Sequence, residues 1–340
     1  DVVDNCRSLL FITNRLFMPL IKSSYQPTPF WLRNAHLNTI NPAVFRTVKG
    51  VTYEREVLEI EDGDFLDLDW WRPTTIANDR SPLVIALHGL EGSTDRPYVT
   101  GICRYFGRQG WHCLGLNQRT CGGRMNRLPR AYHMGTTDDV ARVVKYAISL
   151  GYQRIALVGF SMGGNHVLKY IGEEGPQVPN EVIGGVAFSV PCHIASANVE
   201  IDKWHNRLYL KRFLRGLNEK MRLKAERFPN LFDVTSPMPK NFQEFDDRFT
   251  GPMHGFTGAM DYWTKCSSRQ FIPTIQRPTL LVNALDDTFL SEQCYPRDEA
   301  SNMDQFYLET PRFGGHVGFG AQWRGDYWSE QRAFAFLDHL

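Results

Sequence analysis

Ile155-Ala156-Leu157-Val158-Gly159-Phe160-Ser161-Met162-Gly163-Gly164, followed by Asn165-His166-Val167-Leu168-Lys169-Tyr170-Ile171, decides how this chain of 340 residues is read. The unbroken apolar run Ile155–Val158 reads as a strand buried on both faces. Val167, Leu168, Tyr170 and Ile171 then recur at helical spacing. Glycines at 159 and 163 let strand and helix approach closely, and the serine between them is held in a strained turn. Its hydroxyl projects above the strand end at a helix N-terminus, where the dipole favours developing negative charge. A bare G-x-S-x-G match is weak. Its placement between a buried strand and a helix gives it weight and marks Ser161 as a nucleophile.

Working outward, the same alternation recurs on both sides. Upstream lie the buried run Leu83–Leu87, ending at His88-Gly89, a helical stretch around Val99–Arg108 and a second run, Trp111–Leu116. Val140, Val143, Val144 and Ala147 keep helical spacing, with Asp138 and Asp139 in the first turn and Gly151 just past the end. Downstream come Val182–Val190, Thr279–Val282, Gln305–Leu308 and a closing helix, Ser329–Leu340. Ahead of them, Val51–Ile60 and Phe65–Trp71 alternate apolar and polar residues around an Asp-Gly turn, a hairpin signal. Strand–helix alternation predicts a mostly parallel sheet with helices on both faces, an α/β-hydrolase fold. The alternation lapses over residues 191–275. The expected organisation is an N-terminal extension (1–50) packing on the core, a core of 51–190 and 276–340, and a helical lid (191–275) over the C-terminal edge of the sheet.

A serine hydroxyl needs a base, and in this fold the chain order is serine, acid, histidine. Gly314-Gly315-His316-Val317-Gly318 follows the last strand, and its glycines free the loop to aim the imidazole of His316. His339 is the only later histidine, and the predicted terminal helix contains it. The acid should leave the preceding strand, where Leu280–Leu285 runs into Asp286 and Asp287; position alone does not separate the two. Glu200 or Asp202, from the strand before that, is a less direct alternative. The oxyanion hole needs two backbone amides, one from Met162 and one from the loop His88–Gly92, assigned to Leu90.

Thirty-eight Lys and Arg against 37 Asp and Glu leave a net charge of +1, which argues against a nucleic-acid binder. Seven scattered cysteines without a C-x-x-C pair fit a reducing compartment, so the expected location is cytoplasmic. The nearest candidate for a bilayer span, Leu9–Ile21, is broken by Thr13, Asn14, Arg15 and Pro19. No H-E-x-x-H, P-loop or dinucleotide fingerprint is present, so neither cofactor nor metal is expected.

Several further motifs fit one known family. Arg33–Thr39, Asp62-Gly63-Asp64, His88–Ser93, Tyr132–Gly135, Gly159–Asn165, Glu244-Phe245-Asp246-Asp247, Asn283–Phe289 and Gly314–Phe319 together resemble the YheT-like branch of the α/β-hydrolases. That branch is related to eukaryotic abhydrolase-domain acylglycerol lipases and phospholipases, and the resemblance covers residues 28 to 337. It implies a triad of Ser161, Asp287 and His316, with Asp287 rather than Asp286 as the acid, and carboxylesterase or lipase activity on a small-molecule or lipid ester. An acyltransferase or thioesterase on the same triad, and an inactive binding module, are the rival expectations. Two positions depart from the family pattern. Thr120 stands where Gly is usual, and Thr288 where Pro is common.

Residues 203–227 hold nine basic and two acidic residues, a local charge of +7 that the rest of the chain offsets with −6. Leu210, Phe213, Leu214, Leu217 and Met221 fall at amphipathic-helix spacing. Two readings stand: a lid whose apolar stripe covers the active site, or a peripheral helix resting on an anionic membrane. Both place the segment against the acyl pocket.

Overall fold

The computed structural model describes residues 19–27, 29–73, 81–320 and 325–340. Most of Leu9–Ile21 and all of Cys6 lie outside them. The other six cysteines are free thiols.

One sheet organises the described residues. Its strands are β1 (Leu20–Ile21), β2 (Glu54–Glu59), β3 (Phe65–Trp71), β4 (Leu83–Leu87), β5 (His112–Asn117), β6 (Ile155–Phe160), β7 (Val182–Phe188), β8 (Thr279–Val282) and β9 (Phe306–Glu309). They lie in the order β1-β9-β8-β7-β6-β4-β5-β3-β2. Only β3 runs antiparallel to its neighbours; every other pair is parallel. The central strands are apolar at every position because both faces are covered. Ile85 and Leu157 face one core, with Val143 and Ile171 from the helices Thr137–Ser149 and Met162–Glu174. Val84 and Val158 face the other, with Phe106 and Leu337 from the helices Pro97–Arg108 and Trp328–Leu337.

The structure departs from the sequence reading mainly at element ends. β6 continues through Phe160, which pairs with Phe188. β7 stops at Phe188, two residues early, because Ser189 turns into the left-handed region at φ 52°. The closing helix ends at Leu337, so His339 lies beyond it. β1 leaves no trace in the sequence pattern; two residues are too few to show periodicity, and Leu20 and Ile21 are strand only by pairing with Leu308 and Glu309.

Residues 191–275 carry helices broken by an irregular stretch over 228–241, and the helices Ile194–Ile201, Arg207–Arg227 and Ala259–Cys266 share a separate apolar cluster with Phe242, Phe245 and Phe249. Among the described residues no helix is long and apolar enough to cross a membrane.

Candidate active site

Ser161 joins β6 to the helix Met162–Glu174 at φ 54°, ψ −116°, a conformation an L-residue holds only under constraint. The constraint comes from its neighbours. The Ser161 amide donates to the Phe188 carbonyl at 2.8 Å, and the Asn165 amide donates back to the Ser161 carbonyl at 3.0 Å. A Cβ on Gly159 would overlap the Gly163 carbonyl, and one on Gly163 would overlap the Leu87 carbonyl of β4. Both positions therefore require glycine, as the sequence pattern implied.

His316 arrives from the loop after β9. Ser161 Oγ donates to His316 Nε2 at 2.9 Å, and His316 Nδ1 donates to Asp287 at 2.9 Å to Oδ2 and 3.2 Å to Oδ1. The structure thus brings Ser161, His316 and Asp287 into one chain of contacts from the ends of β6, β9 and β8. Asp286 points elsewhere: its Oδ1 accepts the Gly315 amide at 2.9 Å, and burial pushes its carboxyl up to about 6. Glu200 pairs with Lys203, and Asp202 does not join the cluster either.

Two pairings that the sequence did not disclose hold the histidine loop. The His316 amide donates to Thr39 Oγ1 at 2.8 Å, and the Val317 amide donates to Ser189 Oγ at 2.8 Å. Asn38, fully buried, accepts the Gly320 amide at 3.2 Å. Thr39 and Asn38 belong to the Arg33–Thr39 motif, so the signal was present without its purpose. The Phe289 ring lies against the imidazole, tilted by 31° with centroids 4.3 Å apart.

The loop after β4 is equally fixed. The Gln118 amide donates to His88 Nε2 at 3.1 Å, so Nδ1 carries the proton and donates to the Gly89 carbonyl at 2.8 Å. Burial pushes this imidazole down to about 3, which keeps it neutral. The Gly89 amide donates to the Tyr98 hydroxyl and the Glu91 amide to the Tyr132 hydroxyl, each at 3.1 Å. Between these anchored amides, the Leu90 amide has no acceptor among the described residues; neither has that of Met162, the first residue of its helix.

Two spaces meet at Ser161 and His316. One is a mostly apolar cavity of about 110 Å³ walled by Leu90, Met134, Ile194, Phe242, Trp263 and Phe289. Phe213 and Leu217 of the helix Arg207–Arg227 also line it, as expected of that segment. The other is an open cleft of about 600 Å³ leading to solvent. Among the described residues, no group of three or more His, Cys, Asp or Glu side chains is placed to hold a metal ion.

Thr288 departs from the usual proline with a visible consequence. Its hydroxyl donates to Asn206 Oδ1 at 2.8 Å and its carbonyl accepts from Asn206 Nδ2 at 2.6 Å, tying the Asp287 loop to the start of the helix Arg207–Arg227.

A family model for the alpha/beta hydrolase fold matches residues 82–331. The YheT protein of Escherichia coli (strain K12) is 32% identical over 88% of this chain and 88% of its own. Phospholipase ABHD3 of Homo sapiens is 28% identical over 88% of this chain and 75% of its own. Among solved structures, the Pyrococcus furiosus esterase Pf2001 superposes with a TM-score of 0.56 at 18% identity, over 86% of this chain and 95% of that one, a likeness of fold. Sheet order, family match and relatives agree: this chain belongs to the α/β-hydrolase fold family, in the branch that includes YheT.

Proposed function

We propose that this protein is a serine hydrolase that cleaves carboxylic esters through an acyl-enzyme. The observation that carries the reading is the relay itself: Ser161 Oγ, His316 and Asp287 are joined by contacts of 2.9 Å at each imidazole nitrogen. With Nδ1–H directed at Asp287, the Nε2 lone pair faces the serine proton. Ser161 Oγ attacks the ester carbonyl while His316 takes its proton, and the Leu90 and Met162 amides receive the oxyanion. Collapse breaks the bond to the alcohol oxygen, which leaves with the proton from His316. Water then repeats the sequence on the acyl-serine and regenerates the hydroxyl.

The apolar cavity suits the acyl chain and the open cleft suits the leaving group. The name of the human relative, a phospholipase, supports an ester substrate. A panel of soluble p-nitrophenyl esters tests the reading. If the cavity takes the chain, kcat/KM rises by up to about fourfold per added methylene until the cavity is full, since each buried CH₂ contributes about 0.8 kcal/mol. Ser161→Ala and His316→Ala should each retain less than about one per cent of kcat, because the groups act as a unit. Substantial turnover in either variant would contradict the assignment. The same acyl-enzyme would serve thioester cleavage or acyl transfer, so the panel includes a thioester and an alcohol acceptor.

A further inference from the structure

The open cleft runs between two helices. Ile40 and Val44 of the helix Ala35–Phe45 line one side, Tyr209, Arg212 and Arg215 of the helix Arg207–Arg227 the other, and Ser161 and His316 lie at its base. The helices meet at one end, where His36 stacks on Tyr209 at 5.8 Å and its Nδ1 lies 3.1 Å from the Tyr209 hydroxyl.

The apolar stripe that suggested a membrane helix is not available for one. Leu210, Leu214 and Met221 are only 7%, 5% and 3% exposed, packed into the lid cluster. Two of the cations are inward as well: Lys220 pairs with Glu91, and Lys224 donates to Asn126 and the Leu128 carbonyl. What lies bare is a different set. Trp204 and Leu208, at the root of the lid helix, are 87% and 82% exposed. On the facing helix Leu37, Ile40 and Val44 share one face at i, i+3 and i+7, and all three are exposed. Both lips of the cleft thus carry large apolar side chains in water, which a monomer's fold does not require. Around them Arg207, Lys211, Arg212 and Arg215 are exposed, and no acidic residue occurs from Lys203 to Arg215. Asp202 and Glu219 flank this cationic stretch, and Glu200 is paired with Lys203.

We propose that this rim docks on an anionic bilayer. Trp204, Leu208 and the Leu37–Ile40–Val44 face enter the interfacial layer, Arg207, Lys211, Arg212 and Arg215 sit among anionic headgroups, and the cleft opens directly onto lipid. Tryptophan suits the headgroup boundary, and long cationic side chains reach headgroups while their stems stay in apolar surroundings. A second copy of the chain fits less well, because it would set the same cations against each other. Given the esterase reading, on which only this step rests, a lipid ester passes from bilayer to Ser161 without crossing water.

Co-sedimentation of the full chain carrying Ser161→Ala reads binding without turnover. With vesicles of phosphatidylcholine plus a minority of phosphatidylglycerol, binding at low salt should exceed that to phosphatidylcholine alone by about tenfold or more, and should fall as salt rises. Trp204→Ser with Leu208→Ser should weaken binding to both vesicle types by about tenfold. Arg207→Glu with Lys211→Glu should remove the preference for phosphatidylglycerol. In the otherwise unaltered chain, the Trp204/Leu208 pair should leave hydrolysis of a soluble p-nitrophenyl ester unchanged. No binding to phosphatidylglycerol vesicles at low salt, or equal binding by the Trp204/Leu208 variant, would overturn the proposal. So would a dimer in solution that the same variant dissociates, with no vesicle binding, since the patch would then belong to a second copy. Vesicle binding without hydrolysis of any ester supports the surface and contradicts only the chemistry.

Discussion

Asp286 and Asp287 are adjacent carboxylates that leave the same strand, and the chain separates their duties by direction alone. Position alone does not tell which will face His316; the resemblance points to Asp287, and the folded loop sets Asp287 against the imidazole. Asp287→Asn should lower kcat by on the order of 10⁴, as loss of a triad acid does by favouring the wrong imidazole tautomer. Asp286→Asn keeps an oxygen for the Gly315 amide and should leave kcat within about tenfold, with its main effect on thermal stability. Reversal of the two effects in steady-state kinetics would exchange the assignments. Thr120 is a second residue whose meaning appears only in the fold. It sits at φ 72°, and its hydroxyl is buried without a partner among the described residues. A β-branched residue there is strained where a glycine would not be. Thr120→Gly should raise stability by about 1 kcal/mol, the relief of strain outweighing the extra freedom of the unfolded chain, as read from a urea midpoint.

The helices of residues 191–275 show where sequence patterns stop. The helix over 203–227 and its apolar stripe were legible because amphipathic spacing is local, and the structure places a helix at Arg207–Arg227. That Lys224 would be buried, or that Thr39 would hold a residue 277 positions away, is a matter of tertiary pairing with no local trace. Asp246, in the Glu244–Asp247 motif, is a comparable case. It begins a π-helical turn, accepts the Thr250 hydroxyl at 2.6 Å and the Trp263 indole N–H at 2.7 Å, and lines the apolar cavity. Burial, with a smaller push from Asp247, raises its carboxyl to about 7. The folded state therefore holds a proton that the unfolded chain releases near pH 4, so ionisation destabilises the fold. Asp246 should cost stability progressively between about pH 4 and 7, at up to about 1.4 kcal/mol per pH unit. Asp246→Asn should flatten that part of the stability–pH curve in urea titrations. Identical slopes in the two proteins would show that the carboxyl is not held protonated.

At the scale of the molecule, the parallel sheet collects residues distant in sequence at one edge, and this much was legible. Runs of apolar residues alternating with helical periodicity fix β4 to β9 within two residues at each end. The chain order of Ser161, Asp287 and His316 then follows from that of the strands they leave, β6, β8 and β9. β1 and the anchoring of the histidine loop by the Arg33–Thr39 motif were not legible, since both exist only through contacts with the far end of the chain. The hairpin β2–β3 is joined to the parallel core by Arg119, which is fully buried and meets Asp62, Asp64 and Asp139 at 2.8, 3.0 and 2.8 Å. Arg119→Met would strand these carboxylates and should cost about 3–5 kcal/mol in urea denaturation, whatever its effect on turnover. A loss under about 1 kcal/mol would mean that the hairpin does not depend on this cluster.

The claim on which the rest depends is that Ser161 is a nucleophile activated by His316. Reaction of the folded protein with a fluorophosphonate, followed by tandem mass spectrometry of its peptides, addresses it directly. A single phosphonyl adduct on Ser161 is expected, absent in Ser161→Ala and formed at least about a hundredfold more slowly in His316→Ala. An adduct on another residue, or a natively folded protein that takes up no label, would contradict it.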